Sequence, residues 1–319
     1  MILEKGEWVK MINLVQKLIK DICNEENINC SFISEDWITV LEKNGKTRII
    51  AGYKFDLNRQ AVSKVFDDKY ATYELLSLYD IPVVEHKLLY PNNNRQIYAI
   101  NKNNTNYLKK CFNQFNNNVV IKINNGTCGL NVNHFNDFKS LKNFYENLNS
   151  ESSYSICPFY DIENEYRVIV LNNNIRLIYK KNLPIIYGDG ILTIKELLLK
   201  YNYEYFKNYD GKDKNIILKN NEMYQYGWKF NLSNGAKVSF EIDKDIQIEI
   251  ENIMKKLTKN IDICFCSVDI IKTSDNKYLV LEINSGVMMK NLFIENENIR
   301  NEVKQIYKDA IRLMFEKEQ

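Results

Sequence analysis

Three oxygen-bearing side chains gather near the C-terminal end of this chain, Asp269, Glu282 and Asn284, within "CSVDIIKTSDNKYLVLEINSG". The period of two along a strand puts Glu282 and Asn284 on one face. Asp275 and Asn276 predict a two-residue hairpin turn, with Asp269 six residues before it and Glu282 six after it, so the two acids become cross-strand neighbours. Directly opposed side chains have Cβ atoms ~5 Å apart. Two carboxylates that close repel each other and resist desolvation unless a cation lies between them. Oxygen donors without His or Cys favour Mg²⁺ or Mn²⁺ over zinc. The competing reading is an exposed strand face on which the acids are simply solvated.

A second group of residues points to an anion. In "KINNGTCGLNV" a strand ends near Lys122 and is followed by Asn125, Gly126, Thr127, Cys128 and Gly129. Such a turn can aim backbone N–H groups inward as a nest for phosphate, with the Lys122 ammonium beside it. Only 11 glycines occur in the chain, so a pair of them three residues apart marks unusual backbone or close approach. Lys69, in "DDKY", opens a helix from which it could reach the same anion, although a lysine in a first helical turn is ordinarily solvated.

The elements that must position these groups read as α+β. A helix carrying Leu14, Val15, Leu18, Ile19 and Ile22 precedes short strands in "SFISEDWITVLE" and "KTRIIAGY". "DDKYATYELLSLYDIPVVEHKLLY" gives a helix and then a strand. Residues 105–160 alternate helix, strand "NVVIKI", glycine loop, helix "FKSLKNFYENL" and strand "YSICPFY". A hairpin "EYRVIVLNNNIRLIYKK" and a capped helix follow, in which Thr193 and Glu196 have capping-box spacing. A stripe of Ile246, Ile250, Ile253, Met254 and Leu257, the acidic hairpin, and a last helix with Ile299, Val303, Ile306, Ala310 and Met314 complete the chain. The tyrosines of the 200–228 stretch (Tyr201, Tyr203, Tyr205, Tyr209, Tyr224 and Tyr226) are candidates to line a substrate pocket or to pack its surface.

Composition narrows the function. With 319 residues the chain can form several lobes, and 43 basic against 41 acidic residues argue against a general polyanion binder or a nucleic-acid partner. No apolar stretch approaches membrane-spanning length, and the charged start "MILEKGEWVK" is unlike a signal peptide, so a cytoplasmic location is expected. Seven irregularly spaced cysteines fit reduced thiols, and Cys264 and Cys266 lack the second ligand pair of a zinc site. His86 and His134, the two histidines, leave little material for a His-based centre, and each is read as a satisfied core or surface residue.

Taken in order, the D-K helix, K-x-x-x-G-x-x-G loop, "EYRVIV", "GDG..TIKEL", "NLSNGA", "VDII" and "LEINSG" resemble the ATP-grasp superfamily, in particular the branch of cyanophycin synthetase and bifunctional glutathione synthetase. The resemblance implies an ATP-grasp fold with an N-terminal lobe over 1–66, a linker helix and small lobe with a glycine lid over 67–162, and a C-terminal lobe over 163–319. It implies a ligase that activates a carboxylate as an acyl phosphate and couples it to an amine, on an amino acid, a peptide or a carrier-borne substrate. ATP and Mg²⁺, two ions with Mn²⁺ as a substitute, are the implied cofactors, and homo-oligomerisation is left open. Lys69, Lys122 and the 125–129 loop resemble phosphate contacts. The segment Cys157, Pro158, Phe159, Tyr160 resembles the one that reads adenine, and Glu165 the residue that holds ribose. Asp269, Glu282 and Asn284 match the magnesium ligands, while Arg167, Lys229 and Asn231 match positions facing phosphate or the acyl phosphate. Two departures stand out: Asn131 where the lid pattern often has glycine, and Ser267 where some of these ligases carry arginine. The second leaves Arg167 as the candidate to stabilise developing charge, unless it is a strand residue paired with a neighbouring acid. A phosphotransferase acting on a hydroxyl and a non-catalytic nucleotide-binding protein are the rival functions.

Overall fold

The computed structural model describes residues 5–92, 102–126, 132–202, 206, 211–232 and 235–316, with backbone alone over 5–13 and at 295. Helix α1 (Lys5–Glu25) leads into an antiparallel sheet of β1 (Asn29–Ile33), β2 (Ile38–Lys43), β3 (Lys46–Ala51) and β4 (Lys54–Phe55), paired in sequence order. Helices α2 (Gln60–Phe66) and α3 (Lys69–Ser77) follow. The start of α3 is set by Asp68, whose carboxylate accepts from the Ala71 N–H at 2.8 Å.

A second sheet runs in the order β5-β8-β6-β7, from β5 (Lys87–Leu89), β6 (Val119–Ile123), β7 (Asn133–Phe135) and β8 (Tyr154–Pro158). Helices α4 (Thr105–Gln114) and α5 (Phe138–Glu146) cover one face, burying Leu108, Phe112, Leu141 and Tyr145 against Leu89, Val119, Ile121 and Ile156. The third sheet joins β9 (Ile162–Leu171), β10 (Asn174–Asn182), β13 (Lys237–Ser239), β14 (Phe265–Thr273) and β15 (Tyr278–Asn284) in the order β13-β10-β9-β14-β15. A small unit of β11 (Ile185–Tyr187), β12 (Met223–Gln225) and α6 (Ile194–Tyr201) has its own core. Its helix carries both bonds of the Thr193–Glu196 capping box. Helices α7 (Lys244–Asn260), α8 (Lys290–Glu295) and α9 (Arg300–Glu316) complete the described chain.

Helix α7 packs Ile250, Met254 and Leu257 on one face of the third sheet, over Val168, Val170, Val268 and Ile283. On the opposite face the core of α1 and α9 covers Ile169, Leu171 and Phe265, and another apolar cluster covers Ile271, Leu279 and Leu281. The polar residues Ser267 and Asp269 lie between those two apolar ends. Among the described residues no helix is long and apolar enough to cross a membrane.

Two β-bulges decide what reaches that polar strip. In the β14–β15 hairpin the turn differs from the expected two-residue Asp275–Asn276 loop. Thr273 and Lys277 close a three-residue loop through a 2.9 Å bond, and Asn276 takes φ +61°. The longer loop alone would set Glu282 opposite Val268 and turn it into the core under α7. An extra residue, Leu281, between the pairs Ile270–Val280 and Asp269–Glu282 restores the register, so Glu282 faces Asp269 after all. In the β9–β10 hairpin Asn172 and Asn173, at φ +50° and +61°, form the tight turn, and a bulge between Ile175 and Leu177 brings Lys181 opposite Glu165.

The chain leaving Asn284 is fastened by Tyr307, fully buried on α9. Its hydroxyl accepts from the Met289 N–H at 2.9 Å and donates to the Val287 carbonyl at 3.1 Å, while its ring stacks on Phe55 at 5.7 Å. Tyr307→Phe keeps the stack and strands both backbone groups. Urea titration of this variant should show about 1–3 kcal/mol less stability, as a lower midpoint with the slope unchanged. A wild-type midpoint would refute the fastening role.

Candidate functional site

A row of side chains runs across four strands: Tyr179 on β10, Arg167 on β9, Asp269 on β14 and Glu282 on β15 are successive cross-strand neighbours. Asp269, 2% exposed, receives both arms of Arg167, Nε on Oδ1 and Nη2 on Oδ2, each at 2.6 Å. Lys181 adds a third contact, Nζ to Oδ2 at 2.9 Å, and also donates to Glu165 Oε1 at 2.5 Å. Burial by itself would raise the Asp269 carboxyl, but Arg167 and Lys181 together hold it well below the usual carboxylate range. Glu165 moves the other way, raised by burial against the pull of Lys181. Arg167 therefore takes the paired arrangement weighed in the sequence, and its guanidinium is the cation that lets the acid sit inside the sheet.

Glu282 and Asn284 form the more open end of this row. The Asn284 Nδ2 donates to Glu282 Oε1 at 3.3 Å, and Lys69 Nζ lies 4.0 Å from Glu282 Oε2. Lys69 is not the solvated lysine its position suggests, because its side chain is only 10% exposed. Burial lowers its ammonium below the ordinary value, with Glu282 opposing that shift. It donates to the Gly126 carbonyl at 2.5 Å and to Asn124 O at 3.4 Å, while the Tyr70 N–H donates to Asn124 Oδ1 at 3.1 Å. The start of α3 thus grips the first half of the glycine loop. A Cβ at Gly126 would meet Ile123 Cβ at 3.0 Å, so a larger residue there would crowd this turn. Asn125 belongs to the same turn. Thr127, Cys128, Gly129 and Asn131 lie outside the described residues, as do Tyr203, Tyr205 and Tyr209.

The second sheet turns Val120, Lys122, Ser155 and Cys157 to the side away from its helical core, with Lys122 opposite Ser155 and Val120 opposite Cys157. Val120 and Cys157 pack with Ile271, Phe159, Tyr160, Leu279 and Leu281 from the crossing segment and the third sheet. The Phe159 N–H is already donated to Asn118 O at 2.9 Å, so that group of the Cys157, Pro158, Phe159, Tyr160 segment is occupied. Trp228 approaches Phe159 at 6.0 Å, and Lys229 Nζ lies 5.3 Å over the Trp228 ring. Asn231 accepts through its carbonyl from the Ala236 N–H at 3.2 Å. These last two residues sit on the 227–232 segment rather than in the charged row.

The donors fit a hard divalent cation, since two carboxylates and a carboxamide share a face. Among the described residues no group of three or more His, Cys, Asp and Glu side chains converges. The face of the second sheet turned away from its helices holds buried polar groups: Lys122 is 7% exposed, and Ser155 Oγ and both ring nitrogens of His86 are buried without a hydrogen-bond partner among the described residues. That corrects the reading of His86 as a satisfied residue. His134 does have a partner, Asn118 Oδ1 at 2.6 Å. Lys181 is the residue that sequence reasoning passed over. The hairpin in "EYRVIVLNNNIRLIYKK" hinted at it, but the bulge that turns Lys181 toward Glu165 left no mark there.

No family model matches the chain. Over 199 residues it is 24% identical to the glutathione biosynthesis bifunctional proteins GshAB of Listeria monocytogenes and Listeria welshimeri, matching 54% of this chain and 26% of theirs. The chain thus spans about a quarter of the length of these curated relatives. Among solved structures, a bifunctional glutathione synthetase from Pasteurella multocida superposes with a TM-score of 0.52 at 14% identity, over 92% of this chain and 44% of that one. A D-alanine–D-alanine ligase from Bacillus anthracis gives 0.52 at 13% identity, over 83% and 74%. Likeness at this level of identity speaks to architecture, and the architecture of this chain is the α+β ATP-grasp fold.

Proposed function

We propose that this chain is an ATP-dependent carboxylate–amine ligase that activates an amino acid or peptide carboxylate as an acyl phosphate and joins it to an amine. The observation that carries the reading is the Asp269–Glu282 pair with Asn284 beside it, joined through Lys69 to the loop at Gly126. Asp269, Glu282 and Asn284 would hold magnesium, which supplies charge neutralisation at the β- and γ-phosphates. Lys69, Lys122 and the 125–129 loop would spread the transferring charge, an electrostatic contribution that a dry, preorganised site makes large. Cys157 to Tyr160 would border the base, and Glu165, steadied by Lys181, would accept from a ribose hydroxyl. Arg167 would act by aiming both oxygens of Asp269. Lys229 and Asn231, on the segment beside Phe159, would face the acyl group. The glutathione synthetase and D-alanine–D-alanine ligase neighbours support an acid and an amine of amino-acid type.

ADP release screened over paired acids and amines, with mass analysis of products, should reveal an amide whose formation stops when EDTA removes the metal. Hydroxylamine added in place of the amine should yield a hydroxamate. A stable phosphomonoester instead would mark a phosphotransferase, and tight ATP binding without turnover on every panel would mark a non-catalytic protein.

Glu282→Gln should lower metal-dependent ADP release by about 100-fold or more at an almost unchanged melting temperature. Asp269→Asn should do both kinds of damage, because it leaves Arg167 buried without its counter-charge and Lys181 with Glu165 alone. A stability loss of about 3–5 kcal/mol is expected there. Full activity in Glu282→Gln would remove the metal assignment.

A further inference from the structure

Asn284 is the last rung of the β14–β15 ladder, paired with Ser267. The strand ends there, so the contacts of residues 285–287 decide how its carboxamide stands against Glu282. Two of those contacts reach the N-terminal part of the chain. Ser285, 3% exposed, donates its hydroxyl to Asp67 Oδ1 at 3.0 Å. The Val287 N–H donates to the Tyr53 carbonyl at 3.0 Å. Between them Gly286 runs so close to the β3–β4 turn that a Cβ there would meet Lys54 Cγ at 3.3 Å and Tyr53 O at 3.5 Å. The circuit closes on Lys54, whose ammonium pairs with the other oxygen of Asp67, Oδ2. One carboxylate thus joins the β3–β4 turn, the junction of α2 with α3, and the residue after Asn284. The same junction sets the opposite end of the site. Asp67 closes α2, its N–H donated to the Ser63 carbonyl at 3.1 Å, and stands two residues before Lys69, whose ammonium lies 4.0 Å from Glu282 Oε2. Phe66, its neighbour, is buried in the core shared with α7, which leaves the junction little room to shift.

We propose that Asp67 is a positioning residue: by accepting from Ser285 it fixes the carboxamide of Asn284 relative to Glu282 and Lys69, and so sets how strongly a divalent cation is held beside a bound nucleotide. This rests on the metal and nucleotide reading above. Groups one step removed from a metal act by holding its ligands in the binding orientation, so that less freedom is lost when the ion arrives. The bond to Ser285 is the one that counts, because a hydroxyl donated to a carboxylate makes a strong hydrogen bond. The Lys54–Asp67 pair, with side chains 47% and 34% exposed, is screened by solvent and adds little of its own.

Calorimetric titration of the full chain with ATP, in excess EDTA and again with Mn²⁺, tests this through the gain in affinity that the metal brings. Ser285→Ala removes one hydroxyl and leaves the Asp67–Lys54 pair in place. It should cut that gain about tenfold, with ATP binding in EDTA and the melting temperature nearly unchanged. Asp67→Ala should cut the gain at least as much, and adding Ser285→Ala to it should cost nothing further, because the two residues share one interaction. Asp67→Asn, whose carboxamide oxygen still accepts from Ser285, should keep most of the gain. A full gain in Ser285→Ala, additive losses in the double variant, or an equal loss of ATP affinity with and without metal overturns the positioning role and leaves the metal assignment standing. A wild type that binds ATP equally well with and without Mn²⁺, or not at all, overturns the metal or the nucleotide reading and this inference with it.

Discussion

The carboxylate of Asp269 lies in the middle of a five-stranded sheet with almost no contact with solvent, and an ion there is tolerated only with opposite charge and good hydrogen bonds around it. Arg167 supplies a planar fork that matches both oxygens at once, and Lys181 a point charge that also serves Glu165. Removing Asp269 would leave Arg167 uncompensated, and removing Lys181 would do the same to Glu165. The residues of β9, β10 and β14 at this level are therefore locked to one another by charge as well as by the ladder. That rigidity fixes where Glu282 and Asn284, on the next strand, present their oxygens.

Strand parity controls membership of this row more tightly than residue identity does. A shift of one residue turns a side chain to the opposite face, and both hairpins would present the wrong face without their bulges. The extra residue in β15 turns Glu282 toward Asp269, and the one in β10 turns Lys181 toward Glu165. Bulges beside a functional site re-aim side chains in this way. Here two of them act on opposite sides of β9 and β14, so the ends of the row depend on irregularities while its middle depends on regular pairing.

Helices and their buried stripes were legible in the sequence because periodicity and capping are local signals. The α7 stripe, the α9 stripe and the Thr193–Glu196 box all follow from a few neighbouring residues. The Asp269–Glu282 pairing was reached from a two-residue turn, whereas the structure has a three-residue turn and a compensating bulge. Two one-residue departures cancelled. Lys181 lacked such a cancellation and stayed hidden. Burial of Lys69 and His86 was equally hidden, since the first results from α3 meeting the 124–126 turn and Glu282 and the second from the 82–89 crossing, long-range contacts that no local pattern encodes.

Lys69 shows what those contacts accomplish. Its ammonium touches the glycine loop of one sheet through Gly126 and approaches Glu282 on the edge strand of the other. Burial works against its charge, and Glu282 at 4.0 Å offsets only part of that penalty. Lys122 lies near enough to add repulsion. An anion beside Lys69 would offset the part of that penalty that Glu282 leaves. On the function proposed here, a phosphate chain would be favoured at that point over a neutral ligand of the same size. The charged row on β9, β10 and β14 is already balanced internally and gains little from such an anion. On the function proposed here, affinity for phosphate would reside mainly in Lys69 and Lys122 and their loop, with Asp269, Glu282 and Asn284 acting through the metal.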